Sequence, residues 1–136
     1  MFSFFSKKAS RQSSNFGEQD EVCRLTPDAP PHVQALHLIL EQSMADRATE
    51  VLMQYDRFRN EFAVYFKLND AYEQILLPPA TLFHPMQTML ASAAHLSLPE
   101  DEGQFVFPRA SGGNMRWSIA IEDQGATMAM SMLGYV

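Results

Sequence analysis

The sequence holds one cysteine, Cys23, so no internal disulfide can form, and a lone thiol fits a reducing compartment. Lysine is nearly absent, with only Lys7, Lys8 and Lys67. Ten basic residues against 16 acidic ones leave a net charge of −6. No basic stripe is there to track a phosphate backbone or an anionic membrane, which disfavours nucleic-acid binding and polybasic anchoring. Glycine is scarce as well. None of the six (Gly17, Gly103, Gly112, Gly113, Gly125, Gly134) precedes a lysine, so there is no phosphate-cradling loop of the G-x-x-x-x-G-K type. Neither a dinucleotide fingerprint nor a nucleophile-elbow serine occurs. No apolar run reaches about 18 residues, so no transmembrane helix is expected. Residues Met1 to Lys8 place their apolar part before their charges, the reverse of a secretory signal. His32, His37, His84 and His95 share no close ligand spacing, and no metal site is expected.

What remains is 136 residues with 46% hydrophobic content, one domain's worth of chain. Residues 1–26 read as an N-terminal tail: serines 3, 6, 10, 13 and 14 lie among Lys7, Lys8, Arg11 and Asn15, with no apolar period after Phe5. A flexible terminus is the plainer reading. A docking peptide is the sharper one, with Phe2, Phe4 and Phe5 as anchors and Lys7 and Lys8 as charge contacts. Residues 1–24 carry four basic and three acidic groups, a net of +1, and the remainder carries −7. The body is therefore acidic and suited to a basic partner surface, although acidity also serves solubility.

Residues 27–136 read as a single α+β domain. A helix is expected from about Pro30, capped by Asp28, with Val33, Leu36, Leu40 and Met44 as its apolar stripe and His37 at the edge of the core. Strands follow at Thr49–Gln54, Glu61–Leu68 and Ala71–Leu77, with Asn69-Asp70 as a two-residue turn. Pro78-Pro79 opens a second helix, from about Ala80 to Leu96, in which Pro85 shifts the start or leaves a bend. Gly103–Pro108, Met115–Ile121 and Ala126–Leu133 are the closing strands. The order α-β-β-β-α-β-β-β suits two helices on one face of a largely antiparallel sheet.

Chemistry-bearing clusters are few. Glu100-Asp101-Glu102 reads as a solvated loop, because consecutive carboxylates point apart and do not form a cage. Cys23 reads as inert. Met128, Met130 and Met132 alternate and share one face, which suits a core or an adaptable partner groove. Trp117 reads as core, with Tyr135 a possible contact residue.

As whole strings, residues from about 28 to 135 resemble the PAS-like N-terminal domain that precedes the motor in type II secretion and type IV pilus assembly ATPases. The family run L-I-L-x-x-A-x-x-x-x-A-S-D-I-H-I-E-P is matched by Leu38-Ile39-Leu40 through Asp46 to Gln54. The run L-R-V-R-x-R-I-D-G-V-L is matched by Phe62-Ala63-Val64-Tyr65-Phe66-Lys67-Leu68-Asn69-Asp70-Ala71-Tyr72, reaching Pro78-Pro79 without a gap. M-A-x-L-D-I followed by R-L-P-Q-D-G-R is matched by Ala93 to Gln104, and a terminal G-E-x-V-V-L-R-L-L by Gly125 to Leu133.

The departures matter. The family's strand arginines fall on Ala63, Tyr65 and Lys67, the arginine after its D-G falls on Gln104, and its I-H-I-E histidine falls on Leu52. Its late-strand arginine falls near Ile119 or Ile121. The resemblance therefore implies a PAS-like frame without the family's nucleotide contacts and without a motor. The expected function is a non-catalytic, cytoplasmic adaptor or regulator without cofactor. Its protein partner would be a secretion or pilus ATPase or an inner-membrane platform protein, which would bring it to the inner face of the membrane. Two alternatives stand beside it. One is a small acidic secretion chaperone of the type III kind, which would end in a helix. The other is a PAS-like small-molecule sensor with Phe62, Phe66, Tyr72 and Trp117 around a ligand. Partner identity and oligomeric state are not legible in the sequence.

Overall fold

The computed structural model describes residues 21–136. Phe2, Phe4, Phe5, Lys7 and Lys8, the candidate docking residues, lie outside the described residues. The elements run α1 (Pro31–Ala45), β1 (Glu50–Asp56), β2 (Glu61–Leu68), β3 (Ala71–Leu76), a 3-10 turn (Ala80–Leu82), α2 (Phe83–Ala94), β4 (Asp101–Pro108), β5 (Asn114–Glu122), a second 3-10 turn (Asp123–Gly125) and β6 (Thr127–Tyr135). The six strands form one sheet in the order β3-β2-β1-β6-β5-β4, every pairing antiparallel. This is an α+β domain with a six-stranded antiparallel sheet and two helices.

Register separates the two faces of the sheet. Phe66, Val51, Met130, Ile119 and Gly103 form one row across β2, β1, β6, β5 and β4, and the first four are buried. These side chains pack with Leu36, Ile39 and Leu40 of α1 and Phe83, Met86 and Leu90 of α2 in a single core. One residue further along each strand, Tyr65, Leu52, Ala129, Ala120 and Glu102 form the adjacent row, none of it fully buried. Successive side chains on a strand point to opposite faces, so this second row lies on the face away from the helices.

Several details differ from the sequence reading. Asp28 does not cap α1; its carboxylate accepts from the Thr26 hydroxyl instead, and Pro30 is the N-cap. Pro31 at the first helical position has no N–H to satisfy, so the cap is dispensable. Pro85 shifts the start of the second helix past Ala80, one of the two outcomes expected of it. A 3-10 turn carries the chain to Phe83, and Pro85 then falls in the first α-helical turn, where an N–H has no helical acceptor anyway. The packed domain also begins earlier than residue 27. Val22 is buried in the core, its N–H donates to the Val106 carbonyl at 3.0 Å, and Glu21 bridges Val106 in parallel. Asn69 and Asp70 both take positive φ (52° and 67°), as a two-residue hairpin turn of this kind requires. Gly103 sits close to its neighbours: a Cβ there would lie 2.8 Å from Leu96 Cδ2, the end of a side chain, and 3.1 Å from the Ala94 carbonyl oxygen.

Candidate functional site

The face away from the helices is floored by short side chains. Ser118, Ala120, Ala129 and Ser131 leave a hollow of about 460 Å³, and Glu50, Glu102 and Glu122 stand among its lining residues. Small residues on adjacent strands leave the backbone close to solvent, which lets an approaching surface make broad contact. Glu50 also accepts a hydrogen bond from the Tyr72 hydroxyl across β1–β3. That bond, with burial and the Glu50 charge behind it, pushes the Tyr72 phenol up to about 12. The Lys67 ammonium lies 5.5 Å from the centre of the same ring.

Leu52, Ala63, Tyr65, Lys67 and Gln104, the positions singled out by the resemblance drawn from the sequence, all fall on this face by strand alternation. Ile119 and Ile121 do not; both are buried in the core.

Other sequence candidates are placed differently. His37 is buried, its Nε2–H donates to the Cys23 carbonyl at 2.8 Å, and its ring lies 4.6 Å from that of Phe107. It thereby ties the segment before α1 to the helix. Cys23 is exposed and unbridged. Phe62, Phe66 and Trp117 are packed in the core, whereas Tyr72 stands half exposed on the edge strand β3. Met128 and Met130 are fully buried and Met132 is 44% exposed. The face is shared as expected, but β1 pairs with β6 only as far as Val51–Met130, and Met132 lies beyond that neighbour. Asp101 and Glu102 are not loop residues: both lie in β4, with the Asp101 carboxylate accepting from Ser97 N–H.

A second feature escaped the sequence reading. The β1–β2 turn carries Arg57-Phe58-Arg59, with Phe58 89% exposed. The turn is built: Asp56 Oδ1 accepts from the N–H groups of Phe58 (2.9 Å) and Arg59 (3.2 Å), and Tyr55 O–H donates to Asn60 Oδ1 at 2.8 Å. The signal was an Asp and an Asn bracketing a large apolar residue between two strands. Beside this finger lies a groove of about 940 Å³, bounded also by Tyr65, His84 and the Asp123–Thr127 turn.

Among the described residues no group of three His, Cys, Asp or Glu side chains is placed to hold a metal ion. No helix among them is long and apolar enough to cross a membrane. No protein-family model matches the chain, and no curated protein matches it.

Proposed function

We propose that the protein is a non-catalytic adaptor that binds a component of a bacterial type II secretion or type IV pilus machine, either its ATPase or its inner-membrane platform protein. One observation carries this reading. The positions matched by the resemblance, Leu52, Ala63, Tyr65, Lys67 and Gln104, share one sheet face, with Gln104 on its far edge strand, yet only Lys67 keeps a positive charge. One lysine is a poor phosphate site, whereas a flat face of small side chains with carboxylates around it suits a basic protein surface. The PAS-like description of the fold and a cytoplasmic setting belong to the same proposal.

The test is affinity capture from the native bacterium with the full chain as bait, beside an Ala120→Arg, Ala129→Arg variant that crowds the face. The expected result is recovery of a secretion or pilus ATPase or platform protein by the first bait and its loss from the second. Recovery of no such component, or equal recovery by both baits, overturns the proposal. The type III chaperone reading expects a closing helix; the element after β5 and its 3-10 turn is instead the strand β6.

A further inference from the structure

The hairpin end of the sheet offers a finger and a groove side by side. The finger is Arg57-Phe58-Arg59, held out by the Asp56 and Asn60 side chains described above. An aromatic ring at 89% exposure on a hydrogen-bonded turn is an unusual expenditure of apolar surface. The Arg57 guanidinium lies 5.4 Å from the Phe58 ring centre, which keeps one positive charge beside it. Arg59 approaches Asp56 at 3.8 Å but remains largely exposed.

Carboxylates line the groove on both of its sides. Glu61 stands beside the finger at the start of β2, Asp123 belongs to the turn before β6, and Gln124, also in the lining, donates its N–H to the Glu100 carboxylate at 2.9 Å. Glu100 therefore stands at the same end of the sheet, with Leu98 half exposed two residues before it. Residues 21–136 carry seven basic groups against 14 acidic ones. A paired-arginine, aromatic finger is out of keeping with that surface, and its charge complements the groove beside it.

We infer that this end of the molecule is a self-complementary interface, in which the Arg57-Phe58-Arg59 finger of one copy enters the groove of a second copy and the reverse contact forms by two-fold symmetry. In a two-fold interface each contact occurs twice, which requires the projection and its receptor to share one surface patch. Here they do, because the finger residues and the Asp123–Thr127 turn bound the same groove. Phe58 supplies the buried aromatic anchor, and Arg57 and Arg59 pair with Glu61, Asp123 and Glu100 of the second copy. The groove shares Ala63 and Tyr65 with the open sheet face, but the substitutions below alter neither of them, nor Ala120 and Ala129, so either proposal can fail without the other.

Sedimentation equilibrium of the full chain, from micromolar to near-millimolar concentration, tests it. A reversible dimer that weakens as salt rises is expected. Phe58→Ala and the pair Arg57→Glu, Arg59→Glu should each weaken dimerisation by about tenfold or more. The pair Glu61→Lys, Glu100→Lys should do the same. The decisive sample mixes the two charge-reversed proteins. Each alone should dimerise weakly, and the mixture should form a heterodimer, because the acidic finger of one protein then meets the basic groove of the other while the reciprocal contact keeps its native charges. All the altered side chains lie on the surface or line the groove, and circular dichroism verifies folding. A chain that stays monomeric throughout overturns the inference. So does a dimer unaffected by these changes, a mixture that associates no more strongly than either protein alone, or a dimer lost on removing residues 2–8, which would place the tail in the groove.

Discussion

The Arg109 guanidinium bridges to the Glu41 carboxylate through two hydrogen bonds, Nη2 to Oε1 at 2.8 Å and Nε to Oε2 at 3.4 Å. The pair joins the middle of α1 to the turn after β4, 68 residues later in the chain. Both side chains are less than a third exposed, and Arg109 also donates to the Tyr135 hydroxyl at 3.3 Å. Three elements far apart in sequence are thereby pinned at one corner: helix α1, the β4–β5 turn and the end of β6. The Glu41 hydrogen bond, foremost, raises the Arg109 pKa.

Arg109→Met should therefore destabilise the domain by about 1 kcal/mol, because a two-pronged, partly buried pair exceeds an ordinary surface bridge only modestly. Arg109→Lys should recover only part of the loss, since an ammonium cannot engage both carboxylate oxygens in the same plane. Urea unfolding of the two variants checks the order. Equal stability of all three proteins would remove the pair from any structural role.

Tyr72 and Glu50 yield a pH prediction. The phenol is raised to about 12 by its hydrogen bond to Glu50. The folded pKa lies above the ordinary value near about 10. Any stability from this bond is present below that value and is lost as pH climbs through the folded one. Since Tyr72 is 46% exposed, the effect on stability is small, and the titration itself is the better readout. Ultraviolet titration of tyrosinate should show one late-ionising phenol that Glu50→Gln brings back toward the ordinary range.

The closing strand predicts a contrast between chemically identical changes. Met130 is fully buried between β1 and β5, so Met130→Ala should cost roughly 2–5 kcal/mol through lost burial and a residual cavity. Met132 lies on the same face but is 44% exposed, and Met132→Ala should cost under about 1 kcal/mol. Thermal melts of the two variants side by side decide the matter, and equal losses would contradict the difference in burial.

Much of this was legible along the chain. Alternation of Phe62, Val64 and Phe66 against Ala63, Tyr65 and Lys67 located β2, because a half-buried strand writes a period of two into its own residues. Asn69-Asp70 marked its turn through residues that tolerate positive φ. Apolar spacing in α1 placed Val33, Leu36 and Leu40 inside. These signals are local, and each depends only on neighbours within one element.

What the sequence could not determine depends on which elements lie next to one another. Met132 obeys the same alternation as Met128 and Met130, yet it is exposed and lies beyond Val51–Met130, the last pairing of β1 with β6. Val22 sits in a segment with no periodic apolar pattern, and only the edge of β4 draws it into the core. The Glu41–Arg109 pair and the shared groove of the Arg57–Arg59 finger and the Asp123–Thr127 turn join residues far apart in the chain. Local patterning sets the period and the ends of each element. Register across β2, β1, β6 and β5 sets which side chains share a face, and the two helices then decide which of those faces is closed to water.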